Sequence, residues 1–163
     1  MANQHHVLFL STGNSARSII AEAILNHRSH GKFIAHSAGS HPAGEVRPET
    51  LQQIESARMP TTGLRSKSWD EFAALGAPAL DFVFTMCNEA ASELRPIWPG
   101  NPVTAHWGVP DPTAAKGTPE EIARAFHDAF VVLDRRIELF LALPFGTLEQ
   151  LAIKNKLDEM GRS

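Results

Sequence analysis

Apolar residues run along this chain in two rhythms, short continuous bursts and longer stripes at helical spacing. His6-Val7-Leu8-Phe9-Leu10 is a burst, the pattern of a strand covered on both faces. It meets Ser11-Thr12-Gly13-Asn14, a turn composition. Ile19, Ile20, Ala23, Ile24 and His27 then recur at helical spacing, with Gly31 placed as a stop. His5-His6 reads as the lead-in to the strand. Phe33 to Ala38 alternates weakly and ends at Gly39-Ser40-His41-Pro42, which predicts a second strand. Pro48 to Ala57 predicts a helix that opens on its proline, with Leu51, Ile54 and Ala57 facing inward.

Ser68-Trp69-Asp70-Glu71-Phe72 predicts another helix start, with Ser68 and Glu71 spaced as a capping box. Leu80 to Thr85 predicts a third strand and Val103 to Trp107 a fourth, separated by a loop marked by Pro96, Pro99, Gly100 and Pro102. Thr118-Pro119-Glu120-Glu121 supplies an N-cap, a first-turn proline and a capping-box glutamate. From there Ile122, Phe126, Ala129, Phe130, Leu133, Ile137 and Phe140 hold one apolar stripe until Pro144. The order β-α-β-α-α-β-β-α predicts one α/β layered domain over residues 1–163, built on a parallel sheet. Ligands of such sheets bind beyond the carboxyl ends of the strands, at a topological switch point. The loop from Ser11 to Ser18 is therefore the first place to look for chemistry.

Composition removes several alternatives. The 163 residues suit one domain with its own core. The single cysteine, Cys87, excludes an internal disulfide framework and a cysteine-rich zinc site. Fifteen Lys+Arg against eighteen Asp+Glu give a net charge of −3, so no basic field recruits nucleic acid. Leu139 to Phe145 is the longest apolar stretch, and Pro144 breaks it, so no membrane partner is expected. Val7 to Leu10 is too short for the apolar core of a secretory leader. These features predict a soluble, cytoplasmic domain. The eight histidines form no ligand motif and read as surface or packing residues, so no metal site is expected.

In Ser11-Thr12-Gly13-Asn14-Ser15-Ala16-Arg17-Ser18, successive backbone N–H groups can converge on one anion, and the following helix adds its dipole. Gly13 permits positive φ, Asn14 tolerates left-handed geometry, and the planar fork of Arg17 can hold two oxygens of a tetrahedral oxyanion. No Gly-Lys-Ser/Thr ending is present, so this is not a Walker loop.

The spacing resembles the Cys-x5-Arg-Ser loop of the low-molecular-weight phosphotyrosine phosphatase superfamily, and the chain is similar to its bacterial arsenate reductase branch. Ala21-Glu22-Ala23, Ser37-Ala38-Gly39-Ser40, Leu64-Arg65-Ser66-Lys67-Ser68-Trp69, Asp81-Phe82-Val83-Phe84-Thr85 and His106-Trp107-Gly108-Val109-Pro110-Asp111-Pro112 carry the likeness almost end to end. The resemblance implies a four-stranded parallel sheet flanked by helices. It further implies that Thr12, Gly13, Asn14, Ser15, Ala16, Arg17 and Ser18 bind the oxyanion and that Asp111 is the general acid. Asn14, Ser18 and Ser37 support the loop. It implies no cofactor. Phosphate, sulfate or arsenate is the expected occupant.

Two departures matter. Ser11 stands where the family has its nucleophilic cysteine. A thiol at a helix N-terminus beside an arginine ionises near neutral pH, whereas a serine hydroxyl does not and needs an adjacent base. Ser11 is thus expected to bind an oxyanion without attacking it, either as an engineered replacement or as a natural loss of catalysis. Cys87 taken alone reads as a small buried hydrophobe, whereas the resemblance makes it the second thiol of the arsenate relay; Arg95 stands where relatives often carry a third cysteine. That leaves a two-thiol scheme, or one completed by a thioredoxin- or glutaredoxin-like reductant. Arsenate reductase-like chemistry on a small inorganic oxyanion is the leading expectation. The alternatives are a low-molecular-weight protein tyrosine phosphatase and a non-catalytic protein that senses an oxyanion or docks a partner. The absence of tyrosine, with Thr113-Ala114-Ala115 after the Asp-Pro pair, weighs against an aryl phosphate substrate.

Overall fold

A computed structural model describes residues 5–86, 98, 100–143 and 150–162. Four strands, β1 (His5–Ser11), β2 (Phe33–Gly39), β3 (Leu80–Thr85) and β4 (Gly100–His106), form one sheet in the order β2-β1-β3-β4. All three pairings are parallel, with Ser11 beside Gly39 and Leu10 beside Thr85. The sheet is accompanied by α1 (Arg17–Arg28), α2 (Pro48–Ser56), α3 (Pro119–Leu141) and α4 (Gln150–Arg162).

Both faces of β1 are covered, as its unbroken apolar run requires. Val7 and Phe9 join Ile20, Ile24, Phe84, Trp107, Leu133, Ile137, Phe140 and Leu157 in the larger core, under the helices. Leu8 and Leu10 face the other way, onto Trp69, Phe72, Val83 and Trp98. β1 leads to β2 on one side, while β3 and β4 build the other side. The gap beyond the carboxyl ends of β1 and β3 is the switch point.

Several expectations need correction. β1 begins at His5, so the two histidines belong to the strand, and His6 Nδ1 lies 3.0 Å from His36 Nε2. Ser11 is the last strand residue rather than the first of the loop. His27 is exposed on α1, which ends at Arg28; His30 and Gly31, at φ 50° and 88°, make the turn. Trp69–Phe72 is a single 3₁₀ turn. Ser68 caps it by accepting from Asp70 N–H at 3.1 Å, while Glu71 bonds Arg65 instead of closing a capping box. Gly100 and Pro102 lie inside β4, not in a loop. β4 is an edge strand, where a missing N–H costs little, and a bulge opposite Leu80–Phe82 absorbs the irregularity. Helix α4 is absent from the sequence reading altogether. The Thr118 capping box is present, with both reciprocal bonds formed.

Candidate oxyanion site

Residues 12–16 connect β1 to α1 around a pocket of about 250 Å³ lined by Ser11 to Arg17, Asp111 and Thr113. Neighbouring segments tie the loop down by its carbonyls. Thr12 O accepts from His41 N–H at 2.9 Å. Gly13 O accepts from Ala43 N–H at 2.9 Å and Ser66 Oγ at 3.1 Å. Ser15 O accepts from Arg47 N–H at 3.1 Å and Thr50 Oγ1 at 2.8 Å. With those carbonyls committed outward, the amides of Gly13, Ser15, Ala16 and Arg17 make no hydrogen bond to another described residue. That arrangement gathers positive peptide dipole at the mouth of α1.

The left-handed residue is Asn14, at φ 47° and fully buried. Gly13 is not in that region, and a Cβ there would meet only Ser15 Oγ at 3.8 Å, so the expected role of Gly13 falls to Asn14. An asparagine tolerates this geometry when its side chain is held. Asn14 Oδ1 accepts from Lys67 N–H at 2.9 Å, and Asn14 Nδ2 donates to Ser18 Oγ at 2.8 Å. The glycine that the loop does need is Gly39. A Cβ there would run into Thr12 O and lie 2.9 Å from Ser11 O.

Ser11 is 3% exposed, with its Oγ 2.7 Å from Ser18 Oγ and accepting from Asn14 N–H at 3.2 Å. No imidazole or carboxylate bonds it among the described residues. Arg17 reaches across to the segment after β4, donating to Val109 O at 2.9 Å and facing Asp111 Oδ2 at 3.5 Å. Asp111 Oδ1 accepts from Thr113 N–H at 2.9 Å and Thr113 Oγ1 at 2.7 Å. The structure thus brings Ser11, the loop and Asp111 to one pocket although a hundred residues separate them in sequence. Cys87 and Arg95 lie outside the described residues.

Beneath the loop lies a pair the sequence reading did not assign. Glu22 on α1 and Lys67 are 12% and 8% exposed at their side chains, with Nζ 3.8 Å from Oε1. Glu22 accepts from Ser37 Oγ at 2.5 Å, and Lys67 Nζ donates to Arg65 O at 2.8 Å. Burial raises the Glu22 pKa despite the pull of Lys67, and burial lowers that of Lys67 despite Glu22. Both residues sit in segments that carry the resemblance, but nothing in their spacing announces that the two charges are buried together. Among the described residues no group of three or more His, Cys, Asp or Glu could hold a metal ion. No helix among them is long and apolar enough to cross a membrane.

Comparison with known proteins places this geometry. The family model described as low molecular weight phosphotyrosine protein phosphatase matches residues 6–156. An arsenate reductase of Halalkalibacterium halodurans is 31% identical over 138 residues, covering 85% of this chain and 96% of that protein. A solved arsenate reductase in its phosphate-binding state superposes with TM-score 0.67 at 22% identity, over 85% of this chain and 97% of that one. A thioredoxin-dependent arsenate reductase of Corynebacterium glutamicum gives TM-score 0.56 at 24% identity, over 85% of this chain and 64% of that one. The two structures share the fold.

Proposed function

The chain belongs to the low molecular weight phosphotyrosine protein phosphatase family, and on that premise we propose that it is an arsenate reductase-like protein that holds a small inorganic oxyanion at residues 11–18. The observation that carries the reading is the pocket itself: loop amides with no partner among the described residues, Arg17 and Asp111, with no aromatic side chain among its described walls. An aryl phosphate would find no ring among these described walls to stack on. Arsenate, phosphate or sulfate needs only the amides and the guanidinium. Homology to arsenate reductases over most of both chains supports the same choice over a phosphotyrosine substrate.

In this reading the loop from Thr12 to Ser18 holds the anion through its amides, the Arg17 side chain clamps it, and Asp111, a hydrogen-bond acceptor while the anion is bound, passes the anion's own proton to a leaving oxygen. Ser11 occupies the nucleophile position but has no base among the described residues to take its proton, and on this reading the chain binds without turnover. A thiolate in its place would attack arsenic while water leaves. Cys87 would then attack that sulfur, so that a disulfide forms and the two electrons released reduce As(V) to As(III). A thioredoxin- or glutaredoxin-like protein would regenerate the dithiol. The Ser11→Cys variant tests the scheme. With arsenate and a thioredoxin system it should oxidise the reductant, and after one turnover mass spectrometry should find a peptide cross-linking position 11 to Cys87. Efficient phosphotyrosine hydrolysis without arsenate reduction would transfer the assignment to the phosphatase.

A further inference from the structure

The donors and acceptors of the pocket can be assigned atom by atom. Lys67 N–H donates to Asn14 Oδ1, which turns Asn14 Nδ2 toward Ser18, and that amide donates to Ser18 Oγ at 2.8 Å. Ser18 is fully buried, so its proton needs an acceptor, and Ser11 Oγ stands 2.7 Å away. Ser11 Oγ then accepts twice, from Ser18 and from Asn14 N–H at 3.2 Å. Both its lone pairs are committed, and its own proton is left to point into the pocket it lines. A thiolate would take the same two bonds and present negative charge. The hydroxyl presents a donor.

Among the described residues lining the pocket, one carboxylate, that of Asp111, faces this array of donors. The two bonds from Thr113 both fall on Asp111 Oδ1. Among the described residues Asp111 Oδ2 has only Arg17 Nη2 at 3.5 Å, too long for a strong hydrogen bond, so it keeps acceptor capacity on the Arg17 side of the pocket. Near neutral pH, phosphate and arsenate each carry at least one proton to give it. Sulfate carries none, and would set a bare oxygen against the carboxylate, a like-charge contact with no proton between.

We propose that the pocket reads the proton on its ligand: it selects hydrogen phosphate and hydrogen arsenate over sulfate, with Asp111 accepting a hydrogen bond from the anion's O–H and Ser11 donating one to an unprotonated oxygen. This rests on the oxyanion-site reading above and adds the anion's protonation state to it. Asp111→Asn gives the sharpest test, because Thr113 N–H and O–H still hold the side-chain oxygen and leave the NH₂ group toward the anion. The carboxylate acceptor becomes a donor.

Isothermal titration of the full chain with sodium phosphate, arsenate and sulfate at pH 7 and constant ionic strength reads the outcome. Phosphate and arsenate should bind about tenfold or more tightly than sulfate, the size expected for one charge-assisted hydrogen bond. In Asp111→Asn sulfate should gain and the preference should vanish, whereas Ser11→Ala should weaken all three anions. The readout is a ratio within one protein, so partial loss of folded material does not move it. Equal affinities for sulfate and phosphate in the unmodified chain, or an unchanged ratio in Asp111→Asn, overturns the selectivity and leaves the oxyanion site standing. Failure of every anion to bind removes the site and the selectivity together.

Discussion

Arg17 approaches the pocket on a side chain that Val109 O and Asp111 already hold, so little rotamer freedom remains to be lost when an anion arrives. Removing it in Arg17→Ala should weaken phosphate binding by on the order of 1.5–3 kcal/mol, measured by titration calorimetry. Lys67 acts differently. Its backbone N–H holds Asn14, and its ammonium partners the buried Glu22. Lys67→Met keeps the first role and leaves Glu22 buried without its cation, which should cost on the order of 3 kcal/mol in urea unfolding. Glu22→Leu combined with Lys67→Met should recover most of that loss, because no charge is then stranded. A larger loss in the double variant would show that the pair contributes net stability. These residues also mark how far a sequence can be read. Ser11 and Arg17 fall in one loop whose spacing carries the family resemblance, and Asp111 enters only through that resemblance, while the structure brings all three to one pocket. The pairing of Lys67 with Glu22 is not legible, since burial of a charge depends on which segments meet in space.

Elements are legible in proportion to how local their causes are. Helix α3 carries its own N-cap, proline and apolar stripe, and its start at Pro119 follows from Thr118. Thr118→Ala removes the side-chain acceptor for Glu121 N–H and leaves only the bond from the backbone N–H of residue 118 to the Glu121 carboxylate. The expected cost is about 1 kcal/mol, seen as a lower urea midpoint with an unchanged slope. α4 has weaker signals. Ile153, Leu157 and Met160 meet the core at helical spacing, but they are few and lie among lysines and acids. Trp107 Nε1–H donates to Leu157 O at 3.0 Å, a contact fifty residues long that no local pattern reveals. β4 hides for a similar reason. A glycine and a proline signal a loop, and only its place on the edge of the sheet makes them acceptable in a strand. Gly100, at φ 91°, also passes so close to Leu80 that a Cβ would lie 2.7 Å from its carbonyl oxygen.

For the molecule as a whole, His36 sets a testable dependence of stability on pH. It sits on β2 against Phe72, with His6 beside it and Lys67 near enough to oppose a further positive charge. The His6 and His36 rings are inclined by only 5°, with centroids 5.3 Å apart and nitrogens 3.0 Å apart, so they meet nearly edge to edge through one N–H···N bond. That bond needs a ring nitrogen that is not protonated. Burial first, then His6 and Lys67, lower the His36 pKa from 6.5 to about 4. The unfolded chain therefore binds this proton more readily than the folded one. Its contribution is complete above about pH 6.5, shrinks as the pH falls, and is gone below about pH 4. Glu22 works in the opposite sense, because its raised pKa favours the folded state as acid protonates it. A variant that removes only the imidazole separates the two. Once the partial exposure of His36 is allowed for, its share between pH 7 and pH 4.5 should be about 1–2 kcal/mol. Urea midpoints at those two pH values should differ less in His36→Gln than in the parent chain. An equal difference in both proteins would mean that His36 takes up its proton in the folded state as easily as in the unfolded one, and that the ring pair opens without cost.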